Sequence, residues 1–408
     1  MGVNPKFSPK NLLNNLFGSN GDPIAVDFGA TGVKLLAVEA GQPPKLDAIG
    51  FAPTPPELRA DVRKRFTQQF EDLGKMVVRL GLRNRKAVCS IPASQTFCKH
   101  MQIERAGDIP ILTIAQAVTA QQIGCDPSAL VYQPIDVGPL PSDATKHEVI
   151  CTAVSRELVN LIMGAMRHCK LEIAGVHGEF LATIRGFDSI TKRAEDATIG
   201  SLYLDIGESS TKVIIAQGTR PVFVRFVEIG TGALDQIVMA KRSCSAAEAA
   251  ALRLEHSATL GEEPAVQPAP EPVVATAAQQ TGLGIFALMP QDRRRGGGRQ
   301  ERMLEDAPLP ELAEQVEILA DEVQMCVRYA ESVVPGLKID RLMCMGGGAA
   351  DRALCRRVAR TLRVQAQVMD PLARLARTSA VPALNVDLST PHPEWSVAVG
   401  LCSCPVAL

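Results

Sequence analysis

The sequence predicts an α/β protein of two similar lobes. Three observations carry that prediction: an eight-residue pattern that occurs twice, strand-length apolar runs flanking each copy, and a later apolar run ending in three glycines. The first copy is Asp27-Phe28-Gly29-Ala30-Thr31-Gly32-Val33-Lys34 and the second Asp205-Ile206-Gly207-Glu208-Ser209-Ser210-Thr211-Lys212. Both have aspartate first, glycine third, a hydroxyl fifth and lysine eighth. Ile24-Ala25-Val26 and Leu202-Tyr203-Leu204 precede them; Leu35-Leu36-Ala37-Val38 and Val213-Ile214-Ile215-Ala216 follow. Each unit therefore reads as strand, tight polar turn, strand. A domain's length separates the copies, and two lobes opening with the same hairpin is the simplest architecture.

Composition narrows the function. The chain has 408 residues, 46% apolar and 21% charged, which is ordinary for a globular protein of two or three domains. Its 43 basic and 44 acidic side chains leave a formal charge of −1, and only 4% of residues are aromatic. Both facts argue against nucleic acid, which needs a basic excess or stacking platforms. The eleven cysteines include no C-x-x-C pair, and Cys402-Ser403-Cys404 has no histidine at zinc-site spacing. Reduced, buried thiols in a cytoplasm are expected. The N-terminal stretch lacks the apolar core of a signal peptide, and no run of about 18 apolar residues is present to span a bilayer. Leu12, Leu13, Leu16 and Phe17 form either a frayed extension or one amphipathic turn for a membrane surface or partner.

The remaining elements follow in order. A helix ends at Leu80, where Gly81 stops it, and residues 87–92 read as a strand closed by Pro92. Residues 105–155 mix a helix (111–123) with strands near 130–135 and 148–154, as a small inserted subdomain would. Residues 156–169 place Leu158, Leu161, Ile162 and Ala165 on one helical face, and Glu179 opens another helix. Residues 256–310 then change character: Pro264, Pro268, Pro270 and Pro272, and later an arginine run from Arg293 to Arg299 broken by glycines. Such a segment buries too little apolar surface to offset its ordering entropy and reads as a flexible insertion. A helix resumes over 312–334, and Leu342-Met343-Cys344-Met345 is a strand running into Gly346, Gly347 and Gly348.

Paired hairpins of this kind suit a polyphosphate. Backbone N–H groups around Gly29 and Gly207 can point into one concavity, and Thr31 and Ser209 add hydroxyl donors. Asp27 and Asp205 would repel a bare phosphate but suit a hydrated Mg²⁺, which keeps most of its waters and takes one or two carboxylates. Gly346, Gly347 and Gly348 let a backbone approach a flat adenosine, with a helix beginning near Asp351.

In this order the three signatures resemble the phosphate-1, phosphate-2 and adenosine motifs of the actin-like ATPase superfamily, which includes actin, sugar kinases, heat-shock chaperone ATPases and FtsA. Within it the chain resembles the PilM family, cytoplasmic actin-like proteins of type IV pilus assembly. Residues 87–92, 221–230, 369–372 and the helix from Leu312 carry that narrower likeness, which runs from Gly21 to Leu401 outside the insertion. The resemblance implies two lobes, each built on a ribonuclease-H-like mixed sheet, and these divisions: a flexible extension (1–20), the phosphate-1 part of the first lobe (21–104), an inserted α/β subdomain (105–165), the first lobe continued (166–199), the phosphate-2 part of the second lobe (200–245), a smaller subdomain with the insertion (246–330), the adenosine-motif part (331–390), and a connecting helix returning to the first lobe (391–408).

It also implies the site. Asp27, Gly29, Ala30, Thr31, Gly32 and Lys34 form the first phosphate loop; Asp205, Gly207, Ser209, Ser210, Thr211 and Lys212 form the second. Gly230, Thr231 and Gly232 approach the terminal phosphates, Arg253 stands where the family has an adenine-side lysine, and Asp27 and Asp205 face Mg²⁺. Glu179 falls where a water-activating acid is common, and a helix-start carboxylate is the plainer alternative. Ala30 and Gly32 replace hydroxyl residues, removing donors worth roughly 1 kcal/mol each if they faced phosphate, so ATP is expected to bind with at most slow hydrolysis. The implied function is an assembly scaffold at the cytoplasmic face of the inner membrane, membrane-associated through the tail of a PilN-like protein docked beside the inserted subdomain. Other platform proteins and self-association stay open as contacts. An FtsA-like filament protein and a small-molecule kinase are the alternatives.

Overall fold

The computed structural model describes residues 22–191, 193–259, 285–287, 308–378 and 381–405. The first lobe starts with an antiparallel meander, β1 (Ile24–Phe28), β2 (Gly32–Glu39) and β3 (Lys45–Pro53). Helix α1 (Val62–Arg79) then leads to β4 (Lys86–Ile91), parallel to β1. An excursion follows through β5 (Phe97–Glu104), α2 (Ile111–Ile123), β6 (Leu130–Tyr132), β7 (Ile135–Leu140) and β8 (Asp143–Ser155). Helix α3 (Arg156–His168) returns the chain to β9 (Glu172–Gly178), parallel to β4, and α4 (Glu179–Arg185) leaves for the second lobe.

That lobe repeats the plan. Strands β10 (Gly200–Ile206), β11 (Thr211–Gln217) and β12 (Arg220–Val227) form the meander. Helices α5 (Thr231–Arg242) and α6 (Ala246–Thr259), strand β13 (Ile285–Ala287) and helix α7 (Ala313–Val333) precede β14 (Ile339–Met345), parallel to β10. Helix α8 (Arg352–Leu362) and β15 (Ala366–Met369) follow, after which β16 (Ala383–Leu384) and α9 (Ser396–Leu401) rejoin the first lobe. The strand orders, β16-β3-β2-β1-β4-β9 and β12-β11-β10-β14-β15-β13, share a run of five, β3-β2-β1-β4-β9 answering to β12-β11-β10-β14-β15, with β16 and β13 added at opposite edges. The hairpins read from the sequence thus begin two copies of one sheet.

Side-chain alternation shows why these strands are buried on both faces. In β1, Ile24, Val26 and Phe28 join one core with Phe66, Leu73 and Met76 of α1 and Ile162 and Met166 of α3; Ala25 joins another with Trp395 and Ala398. Helix α1 is capped by Asp61, whose carboxylate accepts the Lys64 N–H at 3.1 Å, and stops before Gly81, which lies at φ +68°. In α7 the residues Val316, Leu319, Val323, Cys326 and Val327 are buried at helical spacing. All eleven cysteines are unpaired thiols; burial pushes Cys89 up to about 12 and Cys326 to about 11.

Two boundaries differ from the sequence reading. The third sheet, ordered β5-β8-β6 with β7 also on β8, already starts at Phe97, and its core of Met101, Ile103, Ala115, Val149 and Cys151 closes without α3. Because α3 buries Ile162 and Met166 in the first lobe's core instead, the inserted unit is 97–155 and not 105–165. Inside the stretch read as a flexible insertion (256–310), α6 runs on to Thr259 and β13 pairs with the edge strand β15. Residues 308–310 lead into α7, and the remainder of that reading, with Pro264 and the arginine run from Arg293, lies outside the described residues, as do the 1–20 extension and its Leu12, Leu13, Leu16 and Phe17. No helix among the described residues is long and apolar enough to cross a membrane.

Helices α4 and α9 cross between the lobes at backbone contact distance. A Cβ on Gly400 would stand 1.7 Å from the Ala182 carbonyl oxygen. Gly400→Val is therefore expected to cost about 3 kcal/mol or more by overpacking, read as a lowered denaturation midpoint; an unchanged midpoint would mean the crossing is loose.

Candidate functional site

Register places the site. In the first hairpin Asp27 lies directly across from Lys34, and in the second Asp205 across from Lys212. Both pairs close into buried ion pairs: Lys34 Nζ donates to Asp27 Oδ2 at 3.1 Å, and Lys212 Nζ lies 2.8 Å from Asp205 Oδ2. The spacing of first and eighth residues in each motif is thus the spacing of opposed residues across a tight hairpin. Ser90, at the end of β4, donates from Oγ to Asp27 Oδ1 at 2.9 Å and accepts the Phe28 N–H at 3.3 Å.

Lys212 also reaches the other lobe. Its Nζ donates to Glu179 Oε2 at 2.6 Å, and Glu179 starts α4. Burial opposes the Lys212 charge, but Asp205 and Glu179 outweigh it and raise its pKa. Burial pushes Glu179 up; Lys212 pulls it down, while Asp27 and Asp205 add to the rise. The hairpins and Glu179 enclose a cavity of about 170 Å³, room for roughly six waters.

Most of the residues singled out in the sequence meet here. Asp27, Gly29, Ala30, Thr31 and Lys34 line the cavity from the first hairpin; Asp205, Gly207, Ser209, Ser210 and Lys212 line it from the second, with Glu179, Thr231, Gly346 and Gly347 between. Gly346 sits at φ +80°, and a Cβ there would stand 2.4 Å from Asp205 Oδ1, so only glycine lets β14 end against the second turn. The Thr231 N–H donates to the Gly207 carbonyl and that of Gly232 to Glu208, each at 2.9 Å, which fastens the start of α5 to the same turn.

Six of the named residues lie off the cavity wall. Gly32 packs on Phe51, Gly348 on Ile206, and Gly230 and Gly232 against the backbone or side chain of Glu208. Thr211 donates from Oγ1 to the Ile229 carbonyl at 2.7 Å. Arg253 forms a clamp: its Nε meets Asp235 Oδ1 at 3.0 Å and its Nη1 meets Asp351 Oδ2 at 2.9 Å, tying α6 to α5 and the start of α8 just beyond Gly346, Gly347 and Gly348. Burial opposes that charge, and Asp351 and Asp235 outweigh it.

Three further charged residues line the cavity that the sequence reading did not single out. Arg65 comes from the first turn of α1, Glu208 from the second hairpin's turn, and Glu394 from the approach to α9. Burial pushes Glu394 up, but a 2.8 Å contact with His392 holds it below its ordinary value, with Lys34 adding to the effect. None could be found by pattern: an arginine on an amphipathic helix and a glutamate in a loop both read as solvated charges.

Chemically, two ammonium groups, two glycine turns and the hydroxyls of Thr31, Ser209, Ser210 and Thr231 surround a space ringed by carboxylates. That donor set fits a phosphate chain accompanied by a cation.

No protein-family model and no curated protein sequence matches the chain. Solved structures do. One described as a PilM-PilN type IV pilus biogenesis complex superposes with a TM-score of 0.66 at 18% identity, over 94% of this chain and 98% of that one. Ethanolamine utilization protein EutJ from Carboxydothermus hydrogenoformans gives 0.44 at 13% identity, over 96% of each chain. MreB5 of Spiroplasma citri bound to ADP gives 0.44 at 11% identity, over 92% of this chain and 94% of that one. With its two like-ordered sheets and that first superposition over nearly the whole length, the chain has the actin-like ATPase fold.

Proposed function

We propose that this chain is a nucleotide-binding scaffold of a type IV pilus or related secretion platform. It holds Mg·ATP between its lobes, with at most slow hydrolysis, and docks the N-terminal tail of a PilN-like inner-membrane protein. The observation that carries the nucleotide reading is the repeated Asp–Lys pair facing one cavity from both lobes. Lys34 and Lys212 supply positive charge to the phosphates, and the turns at Gly29 and Gly207 supply backbone donors. Asp27 and Asp205 would hold magnesium through its waters; the ion neutralises phosphate charge when bound. The cavity's small volume matches the phosphate end of the ligand, so the base and ribose extend beyond it. Glu179, with its raised pKa, is placed to hold or accept a proton where the terminal phosphate ends.

The partner reading rests on the likeness in fold and on a groove beside the inserted sheet. Helices α1 and α3 flank a trough of about 1530 Å³ whose apolar floor includes Phe66, Phe70, Val78, Leu158 and Leu161. Val78 and Leu161 are each 52% exposed, unusual for apolar side chains so large. Lys75, Arg83 and Lys170 sit along its rim. A short tail with apolar anchors fits such a trough, and attachment to the cytoplasmic face of the inner membrane comes through that partner.

Calorimetry tests both halves. Asp27→Ala and Asp205→Ala should each weaken Mg·ATP binding by about tenfold or more, the size of a lost charge-assisted contact; wild-type affinity in both variants would reject the site. Glu179→Gln should retain ATP while abolishing residual phosphate release, and an unaltered rate would leave Glu179 a structural partner of Lys212. Leu161→Glu should remove binding of a PilN-type N-terminal peptide while leaving ATP affinity and melting temperature unchanged. Peptide affinity unaffected by that charge would put the docking surface elsewhere.

A further inference from the structure

The cavity wall carries three cations, and two of them are spoken for. Lys34 is paired with Asp27, and Lys212 with Asp205 and Glu179. Arg65 makes no such short pair among the described residues, although it is only 4% exposed. Its Nη1 donates to the Arg59 carbonyl at 2.8 Å, and its Nε is a buried donor with no acceptor. The guanidinium carbon lies 5.8 Å from the centroid of the Phe66 ring. A buried charged donor left without an acceptor is rare, and the residue that carries it lines a space shaped for an anion.

The helix that carries Arg65 is fixed to the first hairpin. One turn further on, Gln69 Nε2 donates to the Gly29 carbonyl at 2.8 Å and lies 2.9 Å from Thr54 Oγ1. Arg65 and Gln69 are four residues apart, so they share a face, and whatever positions Gly29 also positions the guanidinium. Opposite stands Glu208 in the second hairpin's turn, 3.8 Å from Arg59 Nη1 and the strongest of the carboxylates acting on Arg65.

We propose that Arg65 reads the terminal phosphate of the bound nucleotide, and that Glu208 occupies the guanidinium's neighbourhood until that phosphate displaces it. A planar fork of N–H donors matches phosphate oxygens as an ammonium cannot, so Arg65 distinguishes a triphosphate from a diphosphate. This rests on the nucleotide reading given above and adds which phosphate the first lobe senses.

Calorimetry of the full chain with Mg·ATP and Mg·ADP separates the two claims. If the wild-type chain binds neither nucleotide, the nucleotide reading itself fails. If it binds both, Arg65→Lys and Arg65→Ala are expected to lower ATP affinity by about tenfold to a hundredfold while ADP affinity stays within about twofold. Glu208→Gln, on a part-exposed side chain, should raise ATP affinity a few-fold and leave ADP unaffected. Because Arg65→Ala also loses the bond to Arg59, melting curves accompany it, and Arg65→Lys and Glu208→Gln decide the matter if it does not fold. An ATP-to-ADP affinity ratio equal to wild type in both of those variants, or no preference between the nucleotides in the wild-type chain, overturns the assignment.

Discussion

Within each lobe an aspartate and a lysine face one another across a hairpin, buried, and the site depends on that repeated pair. Alone, either charge would be too costly to hold in so little solvent; together they are tolerated, and deleting one partner of a buried pair typically costs about 3–5 kcal/mol. The pair therefore constrains hairpin register as well as charge. Slipping either β1–β2 or β10–β11 by one residue would separate the partners and exchange the two apolar faces, which in β1 pack against separate cores. In the second lobe the constraint goes further, since Lys212 also binds Glu179 of α4. One ammonium group thus joins the second hairpin to the helix that links the lobes.

The parts of this arrangement governed by local chemistry were legible in the sequence. A tight turn, a hydroxyl and two opposed charges at fixed spacing are dictated by hairpin geometry, so both turns could be paired before any coordinates. Helix 111–123 has the bounds expected of it, because Pro110 starts it and Gly124, at φ +75°, ends it. Three-dimensional partners were not legible. Strand β5 hid its start because Phe97, Cys98 and His100 remain partly exposed and blur the alternation. Helix α3 looked like part of the inserted unit, since its apolar stripe does not say which core it enters. The ion pairs of Arg253 were not visible because Asp235 and Asp351 are distant in sequence. Arg65 was missed because an arginine on an amphipathic helix reads as a solvated charge.

The two lobes are not equal partners in the cavity. The first contributes α1, pinned to its turn by Gln69, and the second contributes a turn braced by the start of α5 through Thr231 and Gly232. Gly346 completes the second side by bringing β14 against Asp205. The adenosine-side glycines and the second phosphate turn therefore form one continuous surface of the second lobe. Across from it, the first lobe offers Asp27, Lys34 and Arg65.

Helix α1 is a partition between two rooms. Arg65 lines the cavity and Gln69 holds the Gly29 carbonyl of its wall, while Phe66 and Phe70, their immediate neighbours in the chain, form the floor of the groove on the far side, their rings stacked with centroids 5.5 Å apart. A rigid rod cannot tilt on one side only. Residues of the cavity wall and of the groove floor thus follow one another along a single helix. Were a ligand in either space to shift that helix, linkage would require the other space to feel the same coupling free energy.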